Sequence, residues 1–142
     1  MHYLERFKRY IAMDTKSDEE NEQCPSTPGQ LELGRLLVKE LQGLGLQAEQ
    51  DSHGYVYSAL PANTGKKVPA IGFIAHMDTA PDLDGKCVNP KVFTYTGGDI
   101  KLNGEYTMSV QDFPFLKDLE GQEIVTTDGT TLLGADDKAG LT

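Results

Sequence analysis

The sequence has 142 residues, 38% of them apolar and 25% charged, with a net charge of −9. That is enough chain for one domain with a real core, in the composition range of soluble globular proteins rather than disordered ones. The acidic balance argues against nucleic-acid binding, which needs a basic surface to displace counterions, and no apolar run approaches the eighteen or so residues of a membrane span.

Cationic ligands, including metal ions and ammonium groups, are compatible with this charge, although solubility alone accounts for most of the acids. The first ten residues lack the apolar core and small-residue cleavage site of a signal peptide, so a cytoplasmic location is expected. Cys24 and Cys87 are too few and too far apart for a zinc ribbon or a disulfide framework and read as reduced thiols.

Residues 2 to 12 read as a packing helix, with Leu4, Phe7 and Ile11 at helical spacing and Tyr3 and Tyr10 beside them. Residues 14 to 30 are polar and broken by Pro25, Pro28 and Gly29, a solvated loop. A second helix follows, with Ser26 or Thr27 as N-cap and Pro28 in its first turn. Its stripe is Leu33, Leu36, Leu37, Leu41 and Leu44, and Gly43 and Gly45 end it. Residues 46 to 51 and 55 to 60 flank His53-Gly54 and read as a hairpin, with His53 exposed at the turn.

The segment 69 to 82 reads Pro-Ala-Ile-Gly-Phe-Ile-Ala-His-Met-Asp-Thr-Ala-Pro-Asp. Its apolar run predicts a strand over 69 to 78 buried on both faces. Side chains two apart on a strand share a face, so His76 and Asp78 would stand together at its carboxyl end, where open α/β sheets bind ligands. A metal-bound histidine usually gives its other N–H to a carboxylate or a carbonyl, and a His-x-Asp pair supplies both members. A strand ending in a polar turn is the plain alternative for such a short motif.

Residues 79 to 111 form a long loop, of the kind that can wall a substrate site. Residues 112 to 120 suggest a short helix with Asp112 capping ahead of Pro114. Asp128-Gly129, between β-rich arms 124 to 127 and 130 to 133, is a hairpin signal. The second arm runs into Leu132-Leu133-Gly134-Ala135-Asp136-Asp137-Lys138-Ala139-Gly140. Asp136 and Asp137 suit either the cap of the helix that opens there or a metal site. Two strand ends bringing His76 and Asp136 together would offer zinc an imidazole nitrogen and a carboxylate that can bridge two ions roughly 3.5–4 Å apart.

The stretches His76 to Asp82, Thr126 to Gly129 and Leu132 to Gly140 closely resemble the co-catalytic dizinc exopeptidase family. Leu60-Pro61-Ala62-Asn63, Ile71-Gly72-Phe73, Val88-Asn89-Pro90 and Gly97-Gly98-Asp99-Ile100 are similar to its tripeptide aminopeptidase branch. The resemblance runs over essentially the whole chain and implies an α/β catalytic domain with a mixed sheet flanked by helices. It implies that His76 is a ligand of one of two zinc ions. Asp78 would be the active-site carboxylate supporting it, and Asp136, in the family's Asp-x-Lys pattern, the bridging ligand with Asp137 its neighbour. The family's mechanism uses a zinc-bound water and a glutamate general base.

That glutamate, the glutamate beside it, a further Asp, a last His ligand and a lid domain are expected beyond Thr142. Residues 1–142 are therefore expected to be the N-terminal portion of the catalytic domain. The parent protein is expected to cleave tripeptides, and the 142-residue piece to be inactive by itself and to expose apolar surface that drives self-association. Two alternatives stay open. One is another dizinc hydrolase of the family, a carboxypeptidase or an N-acyl amino acid deacylase. The other is a stand-alone, non-catalytic domain.

Overall fold

The computed structural model describes residues 2–142, with helices and short antiparallel sheets interleaved along the chain in an α/β arrangement. Helix α1 spans Tyr3–Ile11 and buries Phe7, Tyr10 and Ile11 from its apolar face. Helix α2 spans Pro28–Gly43 and buries Leu33 and Leu37. Pro28 opens it as expected, but Thr27 lends its backbone alone to the N-cap: its hydroxyl donates to the Lys16 carbonyl at 2.8 Å. Gly45, at φ 85°, turns the chain after the helix, a conformation that costs glycine little.

Strands β1 (Gln47–Gln50) and β2 (Val56–Ala59) form the expected antiparallel hairpin, with His53 exposed in its turn. The long loop contains more structure than its sequence announced. Strand β3 (Lys91–Thr94) lies within it, as do β4 (Ile100–Lys101) and β5 (Thr107–Met108), which pair with each other. Strand β6 (Glu123–Thr126) pairs antiparallel with β3, Lys91 opposite Thr126.

That pairing overturns the hairpin expected around Asp128-Gly129. The turn forms, with the Asp128 carboxylate accepting the backbone N–H of Thr130 at 2.9 Å and its hydroxyl at 2.6 Å. Residues 130 to 133 form no ladder, however. Leu132 gives its N–H to the Asp84 carbonyl and Thr127 gives its hydroxyl to the Thr131 carbonyl. The first arm found a partner distant in sequence, which no local turn signal reveals. Likewise Pro114–Leu119 is a 3₁₀ turn preceded by Phe113, and Asp112 accepts the Ser109 hydroxyl instead of capping it.

The largest departure is at 69 to 78. No ladder includes these residues, and Phe73 and Ile74 are 94% and 98% exposed. An apolar run is buried only where neighbouring elements cover both faces, and among the described residues none pairs with this backbone. Among the described residues the ladders are three separate two-stranded sheets, all antiparallel, and not one continuous mixed sheet. A parallel bridge joins Lys16 to Thr79.

Burial is concentrated in three clusters. Phe7 and Ile11 meet Cys87, against which Val125 and Leu133 pack. Tyr10, Leu33 and Leu37 join α1 to α2 and take in Met77 and Leu141. Tyr95, Ile100 and Leu116 hold the β3 to β6 region. Met77 from one motif, Leu133 from the other and Leu141 just past it thus pack on clusters that α1 helps to build, and the core seats both stretches side by side. A last helical turn, α3 (Ala135–Lys138), closes the chain against α1.

Candidate metal centre

His76 and Asp78 meet although no strand holds them. The imidazole Nδ1 lies 3.0 Å from the Asp78 carbonyl and 3.3 Å from its carboxylate Oδ1. The other ring nitrogen, Nε2, lies 2.8 Å from Oδ1 of Asp136. Two segments sixty residues apart in sequence therefore converge on one imidazole.

Asp136 reaches this place because the turn before it is not yet helix. Gly134 is left-handed at φ 73°, and Asp136 and Asp137 have non-helical backbone angles, with the peptide bond between them cis. The two acids have separate tasks. Asp137 accepts the Gly140 N–H at 3.1 Å and so caps the turn. The Asp136 side chain, 95% exposed, makes its hydrogen bond with His76 and does not cap.

Burial of His76, the largest single influence on its protonation, pulls its pKa down. The Asp136 hydrogen bond, the Asp78 carbonyl and the charges of both carboxylates together outweigh it, so the net shift is upward. A doubly protonated ring fits these contacts, Nδ1–H donating to Asp78 and Nε2–H to Asp136. With Nδ1–H kept by Asp78, loss of the other proton would leave the Nε2 lone pair facing Asp136.

Behind the pair stands Lys138, whose side chain is fully buried. Its ammonium donates to the Met13 carbonyl at 2.7 Å. Burial pushes its pKa down to about 8, against the pull of Asp14 and Cys87. Nothing in the local sequence, where Lys138 follows Asp136-Asp137, distinguishes it from an exposed lysine at a helix start.

An open groove of about 1110 Å³ runs up to His76 and Asp78, bordered by Leu37 and Leu41 of α2, Val56 of β2, and Phe73 and Ile74. Among the described residues no group of three or more His, Cys, Asp and Glu side chains is placed to hold a metal ion. Imidazole nitrogen and carboxylate oxygen are good zinc donors, and a pair already converging at 2.8 Å suits part of a coordination shell. Zinc prefers four ligands, so His76 and Asp136 fit it as a partial set.

The relatives of this chain are peptidase T proteins. The chain is 55% identical over 139 residues to peptidase T of Shouchella clausii (strain KSM-K16), covering 97% of this chain and 34% of that protein. Against peptidase T of Geobacillus thermodenitrificans (strain NG80-2) it is 54% identical over 142 residues, 97% of the chain and 34% of the relative. Peptidase T of Bacillus subtilis (strain 168) is 54% identical over 142 residues, of which it spans 35%. The chain thus spans about a third of the length of the curated peptidase T relatives it matches. No protein-family model matches it.

Proposed function

We propose that these residues form the N-terminal portion of the catalytic domain of a zinc-dependent tripeptide aminopeptidase. The observation that carries this reading is the meeting of His76 Nε2 and Asp136 Oδ1 at 2.8 Å, each from a stretch that resembles the dizinc exopeptidases. The similarity to peptidase T over nearly the whole chain supports the tripeptidase branch over carboxypeptidases and deacylases.

In this reading His76 and Asp136 are metal ligands. Asp78 holds the imidazole by its Nδ1–H, fixing the tautomer and the ring plane and so aiming Nε2. Asp136 offers two carboxylate oxygens, exposed and free of any capping duty. The groove beside His76 is lined with apolar side chains and suits the body of a short peptide. Zinc, when bound, supplies Lewis acidity toward the scissile carbonyl and lowers the pKa of the attacking water. The exposed run around Phe73 and Ile74 is consistent with a larger domain whose remaining strands cover it.

The test is turnover. The intact protein with zinc is expected to release the N-terminal residue from tripeptides and to leave N-acyl amino acids intact; the reverse preference overturns the substrate assignment. His76→Ala should lower metal content and abolish turnover together. The 142-residue chain with added Zn²⁺, Co²⁺ or Mn²⁺ is expected to be inactive, and clear peptide cleavage by it would overturn that.

A further inference from the structure

We infer that Lys138 is a positioning residue that sets the spacing between the two metal-motif segments. This rests on the reading of Asp136 as a ligand, and goes beyond it to what holds Asp136 in place.

The argument begins with an oddity of burial. A lysine is almost never wholly enclosed without a specific partner, and Lys138 is wholly enclosed. Its partner is a main-chain carbonyl, that of Met13, at 2.7 Å and 125 residues away in sequence. Met13 follows the end of α1 and leads through Asp14 into Thr15, Lys16 and Ser17.

Those three residues are clamped to the other motif. Thr79 gives its N–H to the Thr15 carbonyl at 3.2 Å, and its own carbonyl accepts the N–H of Ser17 at 2.9 Å. The Ser17 hydroxyl donates to that same carbonyl at 3.1 Å. Thr79 immediately follows Asp78. One path of hydrogen bonds therefore runs from Lys138 through the 13–17 loop to the segment that carries His76.

The packing makes this path short. A Cβ placed on Gly134 would lie 3.4 Å from the Thr79 methyl and 3.6 Å from Cδ of Lys138, so the lysine stem, Gly134 and Thr79 are stacked in contact. Lys138 also anchors its own segment, through its N–H to the Gly134 carbonyl at 3.3 Å and its carbonyl to the Thr142 hydroxyl at 2.9 Å. Asp136 sits inside the turn so fixed. Groups that hold metal ligands in place typically change metal affinity 10–100-fold when removed.

The test uses Co²⁺ titrated into the 142-residue chain, followed by paramagnetic shifts of the His76 ring protons, with a thermal melt of each variant. Lys138→Met keeps an unbranched apolar stem out to the ε position and removes the ammonium. Exchanging a buried charge for an apolar isostere is often neutral for folding. Co²⁺ binding is expected to weaken about tenfold or more in folded Lys138→Met, with Lys138→Arg closer to wild type. A lower melting temperature with Co²⁺ affinity unchanged would mean an ordinary structural role and would overturn the inference. If Lys138→Met does not fold, Lys138→Gln, neutral and one bond shorter, decides on the same terms. Asp136→Asn separates the two claims. If it leaves Co²⁺ binding intact, the ligand reading fails; if it weakens binding while Lys138→Met does not, only the positioning claim fails.

Discussion

His76 is held at both ring nitrogens by groups that prefer it charged, and this has a measurable consequence in the metal-free chain. Its pKa lies above the ordinary 6.5 because Asp136 and Asp78 together outweigh the cost of burial. The folded state then binds a proton that the unfolded chain releases near pH 6.5. The contact adds stability below that pH, and the contribution is lost as the pH rises through the folded value. An NMR titration of the His76 ring is expected to show a pKa above 6.5, and Asp136→Asn should lower it. An identical titration in wild type and Asp136→Asn would mean the two side chains do not meet in solution. The ring is half-exposed, so salt should reduce the difference. Metal and proton compete for the same nitrogen, and for that reason metal affinity should fall as the solution is made more acidic.

At the scale of elements, local pattern and distant pairing part company. Helices α1 and α2 and the β1–β2 hairpin were legible, because a 3.6-residue apolar period, a proline at the first turn and a His-Gly turn act within one segment. The β3–β6 ladder was not, because Lys91 and Thr126 become neighbours only after the chain between them has folded. Asp136 and Asp137 show the same limit at the site. Both suit a helix start, and which one caps is decided by backbone angles that the dipeptide does not display. Lys138 escaped notice for a related reason, since its acceptor is a carbonyl near the other end of the chain. The leucine stripe of the sequence is not one buried face: Leu33 of α2 is fully buried, while Leu44, just past the end of the helix, is mostly exposed. Leu33→Ala is therefore expected to cost about 2–5 kcal/mol in urea unfolding, and Leu44→Ala about 0.5 kcal/mol or less. Equal losses would mean that the end of the helix is packed in solution.

Over the whole molecule, the two halves of the metal motif differ in how they are supported. The 134–142 segment is pinned by Lys138, by Leu141 in the core cluster with Tyr10, and by Arg6, which donates to the Thr142 carbonyl at 2.8 Å. The approach to His76 is bare: Ala70 to Ala75 carries no charge and no proline, and its large side chains face solvent. Unpaired, uncharged, β-prone backbone of this kind is a template for strand addition. The net charge of −9 opposes close approach of two copies but lies outside this run, and added salt screens it. Self-association of the 142-residue chain should therefore rise with salt as well as with protein concentration. Phe73→Glu places a charge on a side chain that contributes nothing to the core, so it should leave the melting temperature unchanged while shifting the sedimenting species toward monomer. A chain that stays monomeric at high salt and high concentration, or a Phe73→Glu variant that associates as wild type does, would show that this segment does not drive assembly.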